Sequence, residues 1–233
     1  MIPKRIHYVW VGGPLPESKG RLIAGWRDHN PDYEFVRWSE DNIDFSIPML
    51  RRAYEERRWS KVADIVRLMA VHAEGGIYLD TDFQIRKPLN SLLGEAAFWS
   101  FQVDSHPTDW VCNGVFGAEP GHWFLREALD EVFAMRPVPF GLERPTRTGP
   151  KLVTRLLRKH GLHAYDSAGV YVRDMLVLPW TVFFPVGMGQ EFSESYIKPE
   201  TLGVHMWDKS WAKDLPKMVR WALYAKSRLG AVG

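Results

Sequence analysis

The sequence has little cysteine: Cys112 is the only one among its 233 residues. An internal disulfide is therefore excluded, so core packing must hold the fold together, and a reducing compartment fits. Long apolar runs are missing too, because no stretch approaches the ~18 to 20 residues of a membrane-spanning helix. The apolar run over residues 6–11 is too short for the core of a signal peptide. We expect a soluble, cytoplasmic protein.

An excess of charge of either sign is also missing. The chain has 30 Lys and Arg residues against 28 Asp and Glu residues, which gives a formal net charge of +2. This balance argues against a protein that mainly binds a nucleic-acid backbone. Basic residues collect over 213–228, where we expect a C-terminal helix packed on the body with a solvated basic face. Peripheral membrane contact through that basic face is the alternative. Tryptophan is abundant, with 11 residues, and serves both large cores and platforms for planar ligands and sugars.

Apolar periodicity predicts helices that alternate with strands through the first half of the chain. Ser60 and Thr148 are suited to cap two of the helices, and Gly75 with Gly76 should end the first of these two. The pattern is typical of an α/β fold with a mostly parallel central sheet flanked by helices. We expect a single domain. The predicted strands cover residues 6–11, 33–38, 77–79, 97–103 and 111–118, and the predicted helices cover residues 22–29, 50–59, 61–74, 121–135 and 150–160.

The sharpest motif is Asp80-Thr81-Asp82, which directly follows the apolar strand over 77–79. In an extended chain residues i and i+2 point to the same side, so the two carboxylates should converge. Ligands bind at the carboxyl ends of strands in open α/β sheets. Two carboxylates this close raise each other's pKa unless a cation neutralises them. Oxygen ligands select Mg²⁺ or Mn²⁺; two solvated acids in a turn are the simpler alternative.

Three further features carry polar or aromatic chemistry. Asp64 and Arg67 are three positions apart on one helix face, and taken alone this pair reads as a surface ion pair. Trp10 follows the first strand, where an indole can stack on a base or pack in the core. Residues 205–211 gather an imidazole, a hydroxyl and two indoles, for which a strand exit with two core tryptophans is the simpler reading.

Taken together, these segments resemble glycosyltransferase family 32, whose sugar-binding region contains an Asp-x-Asp motif. The family includes the yeast-type initiating mannosyltransferases and the capsular-polysaccharide glycosyltransferases, and the glucosylating domains of large clostridial toxins are more distantly similar. The resemblance runs from residue 2 to about residue 211. It rests on residues 2–10, 31–34, 63–67, 75–82, 113–114, 148–150 and 205–211.

The resemblance implies a GT-A fold, a nucleotide-sugar donor, a divalent cation (usually Mn²⁺) and retention of the anomeric configuration. By the same resemblance Trp10 would stack on the nucleobase, and Asp64 and Arg67 would hydrogen-bond hydroxyls of the donor sugar and ribose. Asp80 would bridge ribose and sugar, and Asp82 would bind the metal. We expect a donor-binding part over about residues 1–118 and an acceptor and closing part over about residues 119–233.

The remaining matches complete the candidate site. His205 would be either a metal ligand or a diphosphate contact. Ser210 and Trp211 match the part of the family that closes over metal and diphosphate, where their donors would stabilise developing charge; Ser210 is also a candidate metal ligand. By the resemblance, the residues expected to take part in catalysis are Asp64, Arg67, Asp80, Asp82 and Asn113. Those expected to bind the donor are Val9, Trp10, Asp64, Arg67, Asp80, Thr81, Ser210 and Trp211.

These assignments describe a hexosyltransferase. It would move a hexose from a UDP-sugar, or alternatively from GDP-mannose, to a glycan or glycolipid acceptor in surface polysaccharide biosynthesis. A bound cation would neutralise the departing diphosphate as a Lewis acid. No residue presents itself as a carboxylate nucleophile, which motivates the hypothesis of front-face attack with the leaving diphosphate taking the acceptor proton.

Three other functions compete with this one. A phosphotransferase of the haloacid-dehalogenase type also has a strand leading to Asp-x-Asp, but usually near the start of the chain, and it would release phosphate from simple esters. A non-catalytic carbohydrate-binding module is supported by tryptophan abundance alone, and hydrolysis of a nucleotide sugar would exclude it. A protein-glycosylating effector would use the same catalytic core on a protein acceptor.

Overall fold

The structure is a computed structural model that describes residues 1–102, 110–136 and 148–208. Its strands are β1 (Arg5–Val9), β2 (Glu34–Trp38), β3 (Gly76–Leu79), β4 (Phe83–Ile85), β5 (Ala97–Phe101), β6 (Val111–Ala118), β7 (Val170–Val172), β8 (Met175–Leu178) and β9 (Gly203–His205). Its helices are α1 (Glu17–His29), α2 (Pro48–Glu55), α3 (Trp59–Glu74), α4 (Trp123–Phe133) and α5 (Pro150–Lys159). Within the described ranges, none of the helices combines the length and the apolarity that crossing a membrane requires.

Seven strands form one sheet in the order β2-β1-β3-β6-β5-β8-β7. β1 pairs in parallel with β2 and β3, and β5 pairs in parallel with β8, whereas the other three pairings are antiparallel. Five of the seven strands therefore run in the same direction, which confirms the predicted α/β fold with a mostly parallel sheet. Because β1 and β3 are parallel neighbours, their carboxyl ends at Val9 and Leu79 meet at one edge of the sheet.

Helices cover both faces of this sheet. Along β3, Ile77 and Leu79 pack with Trp26 of α1, whereas Tyr78 packs on the other face among apolar residues of α2 to α5. This alternation is the two-residue period of a strand. Trp26 and Trp99 are almost completely buried, so these two indoles serve core packing.

The start of α3 differs from the prediction. The helix begins at Trp59 with Arg58 as its N-cap residue, so Ser60 lies inside the first turn and does not cap it. Packing explains the difference: a Cβ on Gly12 would lie 2.6 Å from the Trp59 ring, so the indole fits against a backbone that lacks a side chain. Gly75 ends the helix with φ 65°, a left-handed conformation that suits glycine.

The predicted cap of α5 is also wrong. Gly149 is the N-cap residue of this helix and makes no side-chain cap hydrogen bond. The Thr148 hydroxyl donates instead to Asp64 Oδ2 at 2.8 Å. A carboxylate is a stronger acceptor than an uncharged group, and this bond joins α5 to α3.

Two short strands outside the main sheet bring the end of the described chain back to the Asp-x-Asp motif. β4 and β9 pair antiparallel, with Phe83 opposite His205. Met206 N continues this ribbon by donating to the Asp82 carbonyl at 2.9 Å. Residues that are more than a hundred positions apart in sequence therefore become neighbours at the motif.

Buried His7 on β1 forms hydrogen bonds with β2 and with the end of α3. We expect it to make the stability of the fold sensitive to acid. His7 Nε2 lies 2.8 Å from the Gly75 carbonyl, and the Trp38 indole donates to His7 Nδ1 at 3.1 Å. Both ring nitrogens are thus used by a neutral imidazole, and burial lowers the pKa of His7 against the smaller raising effect of the Gly75 carbonyl.

We expect the stability that neutral His7 contributes to be complete above about pH 6.5 and to be lost as the pH falls towards its lower folded-state pKa. Urea unfolding across this range should give a free energy that falls with acidification, by at most about 1.4 kcal/mol per pH unit for one proton. In His7→Gln this slope should be smaller. An unchanged slope in the variant would contradict the assignment.

Candidate active site

The Asp-x-Asp motif forms the turn between β3 and β4. Phe83 N donates to the Asp80 carbonyl at 3.2 Å and closes this turn. Asp80, Asp82 and His205 each offer one ligand atom, and these atoms all lie within 4.8 Å of one another. The two carboxylates converge as the sequence predicted, but a tight turn brings them together rather than the alternation of an extended strand.

Asp82 is held by the segment that follows β9. His205 Nε2 lies 3.2 Å from Asp82 Oδ1, and Asp208 N donates to Asp82 Oδ2 at 2.9 Å. Burial by itself would raise the pKa of Asp82, but the charge and hydrogen bond of His205, the Lys19 ammonium and the Asp208 amide together lower it. Asp82 is therefore anionic at neutral pH, as a metal ligand has to be.

Lys19 was not predicted from the sequence and supports this arrangement. Its Nζ lies 2.6 Å from Asp208 Oδ2, and its side chain is only 7% exposed although Asp208 is 48% exposed. A lysine is rarely this buried unless it is paired. The pair anchors the segment after β9 to α1, which keeps the Asp208 amide on Asp82. Nothing in the sequence around Lys19 distinguishes it from an ordinary surface lysine of α1.

Asp64 and Arg67 are buried, so their interpretation as a surface ion pair is wrong. Asp64 is 7% exposed and Arg67 is 5% exposed. Arg67 Nη2 lies 3.4 Å from Asp64 Oδ1 and 3.1 Å from Asp80 Oδ1. Arg67 Nη1 donates to the Asn113 carbonyl at 2.7 Å. One guanidinium therefore links two carboxylates from different elements, as its planar fork of donors allows.

Asp80 lies between this buried pair and Asp82. The Tyr78 hydroxyl donates to Asp80 Oδ1 at 2.8 Å, and Arg67 lies over the Tyr78 ring at 4.5 Å from its centre. Burial is the largest influence on Asp80 and raises its pKa, the Asp82 charge raises it further, and Arg67 opposes both. The neighbouring aspartates thus differ in pKa, with that of Asp80 raised and that of Asp82 lowered.

Asn113 also reaches the site. Its side-chain Nδ2 donates to Asp64 Oδ1 at 2.8 Å, and the Thr148 hydroxyl occupies Asp64 Oδ2. Burial raises the pKa of Asp64, while Arg67, Thr148 and Asn113 all act in the opposite direction. Of the partners of Asp64, sequence reasoning placed Arg67 and Asn113 in the site but took Thr148 for a helix cap.

Five other residues were predicted for the site: Val9, Trp10, Thr81, Ser210 and Trp211. Trp10 follows β1 at the same sheet edge as Asp80, is half-buried, and donates from Nε1 to the Gly13 carbonyl at 3.1 Å. Val9 packs in the core cluster, so only its backbone is left to contact a ligand. Thr81 is half-buried within the turn. The two further predicted residues that lie outside the described part of the chain are Ser210 and Trp211.

A close backbone approach makes the Asp80 position sensitive to one glycine. Gly114 lies on β6, its carbonyl accepts from Asp80 N at 2.8 Å, and a Cβ on it would lie 2.6 Å from Asp80 Oδ2. We expect Gly114→Ala to displace this carboxylate and to lower turnover of a nucleotide sugar by about 10²-fold, the cost that a shift of about 1 Å can have.

The matched control for Gly114→Ala is Gly94→Ala, because a Cβ on Gly94 has nothing within 4 Å. Turnover and thermal midpoint should be measured for both variants. Gly94→Ala should behave as the unmodified chain in both assays. Full activity in Gly114→Ala would show that the position of Asp80 does not matter.

The acidic cluster fits a divalent cation. Asp80 and Asp82 supply carboxylate oxygens and His205 an imidazole, a donor set suited to Mg²⁺ or Mn²⁺. His205 Nδ1 is buried and has no hydrogen-bond partner within the described residues. A buried polar atom without a partner is costly, and a ligand arriving at the cluster can reorganise the ring and satisfy it.

Residues 16–99 match the family model described as the glycosyltransferase sugar-binding region containing a DXD motif. This range includes Asp64, Arg67, Asp80 and Asp82. This part of the chain is therefore similar to the sugar-binding region of DXD-type glycosyltransferases. The family resemblance that the sequence suggested is confirmed, and the sugar-binding region holds both the buried ion-pair network and the carboxylate turn.

Relatives of this sugar-binding region agree with that result. Inositol phosphoceramide mannosyltransferase 3 of Schizosaccharomyces pombe is 31% identical over 133 residues, which are 55% of this chain and 36% of the relative. Subversion of eukaryotic traffic protein A of Legionella pneumophila is 23% identical over 160 residues, covering 56% of this chain and 25% of the relative. The chain thus spans a quarter to about a third of the length of these relatives.

A solved structure supports the fold. The structure described as PaToxG glycosyltransferase superposes with a TM-score of 0.57 and 19% sequence identity, covering 68% of this chain and 69% of that chain. At this identity the comparison shows the fold only, which is the GT-A glycosyltransferase fold. The expected fold class is confirmed.

Proposed function

We propose that the chain is a metal-dependent, retaining glycosyltransferase that moves a hexose from a nucleotide sugar to a glycan or glycolipid acceptor. The observation that carries the proposal is the convergence of Asp80, Asp82 and His205 within 4.8 Å beside the buried Asp64–Arg67 pair. One half of this site offers ligands for a cation, and the other offers donors and acceptors for sugar hydroxyls. The haloacid-dehalogenase alternative receives no support from the fold.

The donor we favour is a UDP-sugar, with GDP-mannose as the alternative. Trp10 at the carboxyl end of β1 is the candidate for stacking on the base. The relatives named as mannosyltransferases lend support to a hexose donor and, among hexoses, to mannose. A biosynthetic role in surface polysaccharide and a cytoplasmic location are parts of the same proposal.

The residues of the site have separable tasks in this reaction. Asp80, Asp82 and His205 would hold the cation, which supplies Lewis-acid neutralisation of the diphosphate when bound. Asp64 accepts from sugar hydroxyls, and Arg67 keeps Asp64 and Asp80 charged and in place. Arg67 stays protonated because its neighbouring carboxylates raise its pKa against the effect of burial.

Retention is proposed to proceed by front-face attack. The bond from the anomeric carbon to the diphosphate oxygen breaks, the acceptor oxygen bonds to the same face, and the acceptor proton passes to the leaving diphosphate. The supporting observation is that both oxygens of Asp64 accept hydrogen bonds and that Arg67 and Tyr78 hold Asp80. A covalent sugar on either aspartate, found by mass spectrometry during slow turnover, would contradict this step.

Thermal shift with nucleoside diphosphates and Mn²⁺ tests the donor class directly. A ligand at 100 times its Kd stabilises the folded chain by about 2.7 kcal/mol, so UDP should raise the melting temperature by several degrees in the presence of Mn²⁺. GDP is the comparison that separates the two donor classes. A chain that neither nucleotide stabilises, with or without Mn²⁺, would contradict the proposal.

A protein acceptor is the second candidate. It is the protein-glycosylating effector that the sequence leaves open, and one relative, Subversion of eukaryotic traffic protein A, has a name that describes interference with eukaryotic traffic. The two candidates share the donor site and differ in the acceptor. Transfer of labelled sugar to protein bands, rather than to extracted lipid or glycan, would decide for the second candidate.

A further inference from the structure

Thr148 occupies an unusual place for a residue that precedes a helix. It is 3% exposed, and its hydroxyl donates to Asp64 Oδ2 at 2.8 Å across 84 positions of sequence. The opposite oxygen, Asp64 Oδ1, accepts from Asn113 Nδ2 at 2.8 Å. Each oxygen of this carboxylate thus has one neutral donor, one from β6 and one from the start of α5.

The start of α5 fits closely against the same carboxylate. A Cβ on Gly149 would lie 3.2 Å from Asn113 Oδ1 and 3.4 Å from Asp64 Oδ2. Pro150 occupies the first turn of α5, where its fixed φ favours the helical conformation. The missing side chain at 149 and the preset turn at 150 bring the Thr148 hydroxyl to Asp64 without a rearrangement of the helix.

The hydrogen bond from the Thr148 hydroxyl restricts how the Asp64 carboxylate can rotate. With donors on both oxygens the plane of the carboxylate is fixed, and the unused lone pairs keep one direction. A carboxylate that binds sugar hydroxyls needs this fixed direction, because hydrogen bonds weaken steeply as their angles depart from linear. Removal of partners that orient metal ligands in this way typically costs about 10- to 100-fold in affinity or activity, and we expect the same scale for a carboxylate that binds sugar hydroxyls.

We propose that Thr148 is a positioning residue for donor-sugar recognition, acting through Asp64. The proposal rests on the proposed function, in which Asp64 accepts from hydroxyls of the donor sugar. Thr148 itself touches neither metal nor diphosphate in this account. Its loss should therefore affect the sugar part of the donor and leave the nucleotide part alone.

The test compares Thr148→Val with Thr148→Ser. Valine keeps the shape and removes the hydroxyl, and serine restores the hydroxyl. For Thr148→Val we expect kcat/KM with the nucleotide sugar to fall about 10- to 100-fold, the loss typical when an orienting partner is removed. Affinity for the sugar-free nucleoside diphosphate should stay unchanged. Thr148→Ser should recover most of the activity.

Thr154 provides the matched control within the same helix. It is also buried, but its hydroxyl accepts from Val111 N at 2.9 Å and makes no contact with Asp64. Thr154→Val should lower the melting temperature and leave kcat/KM unchanged. Equal losses in the two valine variants, or a Thr148→Ser variant as poor as Thr148→Val, would overturn the proposal.

A measurement without turnover separates this proposal from the proposed function. The carboxyl ¹³C resonance of Asp64 should shift in Thr148→Val and remain in place in Thr154→Val. Absence of any turnover by the unmodified chain would contradict the proposed function, whereas an unmoved Asp64 resonance in Thr148→Val would contradict the positioning role.

Discussion

Asp82→Asn should abolish metal-dependent turnover of a nucleotide sugar and leave the chain folded. Asp82 is anionic because His205, Lys19 and the Asp208 amide outweigh the effect of burial on its pKa. Asparagine has nearly the same shape but no charge, so it is a poor ligand for a hard cation. Loss of charge stabilisation at the leaving diphosphate should lower kcat by at least about 10²- to 10³-fold.

The fold should tolerate this change. The side-chain oxygen of asparagine can still accept from Asp208 N, so the loss is that of one charged hydrogen bond, about 1.5–3 kcal/mol. The expected fall in melting temperature is correspondingly modest. Asp130→Asn on α4 is the control, because Asp130 is 60% exposed and pairs only with Arg126 in the described structure. Metal-dependent turnover above a tenth of normal in Asp82→Asn would contradict the role of Asp82.

Arg67→Met should destabilise the chain by about 3–5 kcal/mol, the cost of leaving buried charges without their partner. The Arg67 side chain is 6% exposed and lies within 3.4 Å of Asp64 and 3.1 Å of Asp80. Without the guanidinium, the buried carboxylate of Asp64 and the half-buried carboxylate of Asp80 lose their counter-charge, and the Asn113 carbonyl loses a donor. Turnover of the nucleotide sugar should be lost in this variant as well.

The Arg67→Met effect should depend on pH in a defined direction. Burial already raises the pKa of Asp64 and of Asp80, and Arg67 opposes this rise. In the variant both pKa values should rise further, so the folded state binds protons more readily than the unfolded state. Stability should therefore increase as the pH falls from about 7 to about 5, and the deficit relative to the unmodified chain should shrink.

Urea unfolding of Arg67→Met at both pH values measures this deficit. Arg126→Met is the matched control, because Arg126 is 68% exposed and its pair with Asp130 spans one helical turn. Such surface pairs contribute about 1 kcal/mol or less. A deficit for Arg67→Met as small as that of the control, or one that grows on acidification, would show that Arg67 does not neutralise the two aspartates.

Periodicity predicted the helices α1 to α5 and the strands β1, β2, β3, β5 and β6, because strands such as β3 and β6 are short apolar runs bounded by glycine or polar residues. It did not give bounds for β4, β7, β8 and β9, because strands of three or four residues are too short to show a period. Helix starts were predicted less well. Ser60 has a residue type that favours capping, but the packing of Trp59 against Gly12 decides where α3 begins. Local helix propensity cannot predict this contact, because the contact joins residues that are far apart in sequence.

The sequence likewise predicted some residues of the candidate site and missed others. Asp64, Arg67, Asp80 and Asp82 lie in two compact motifs, so a sequence pattern can indicate them. The partners that orient them come from elsewhere: Thr148 is 84 positions from Asp64, and Asp208 is 126 positions from Asp82. The burial of the Asp64–Arg67 pair could not be predicted from the sequence either, because a charged pair at i, i+3 usually lies on a helix surface.

The most direct test of the account is release of nucleoside diphosphate from UDP-hexoses and GDP-mannose, followed with and without Mn²⁺ in the unmodified chain and in Asp82→Asn. We expect one nucleotide sugar to be turned over only when the cation is present, and we expect Asp82→Asn not to turn it over. Turnover that is independent of both the cation and Asp82, or phosphate release from simple esters with no turnover of any nucleotide sugar, would contradict it.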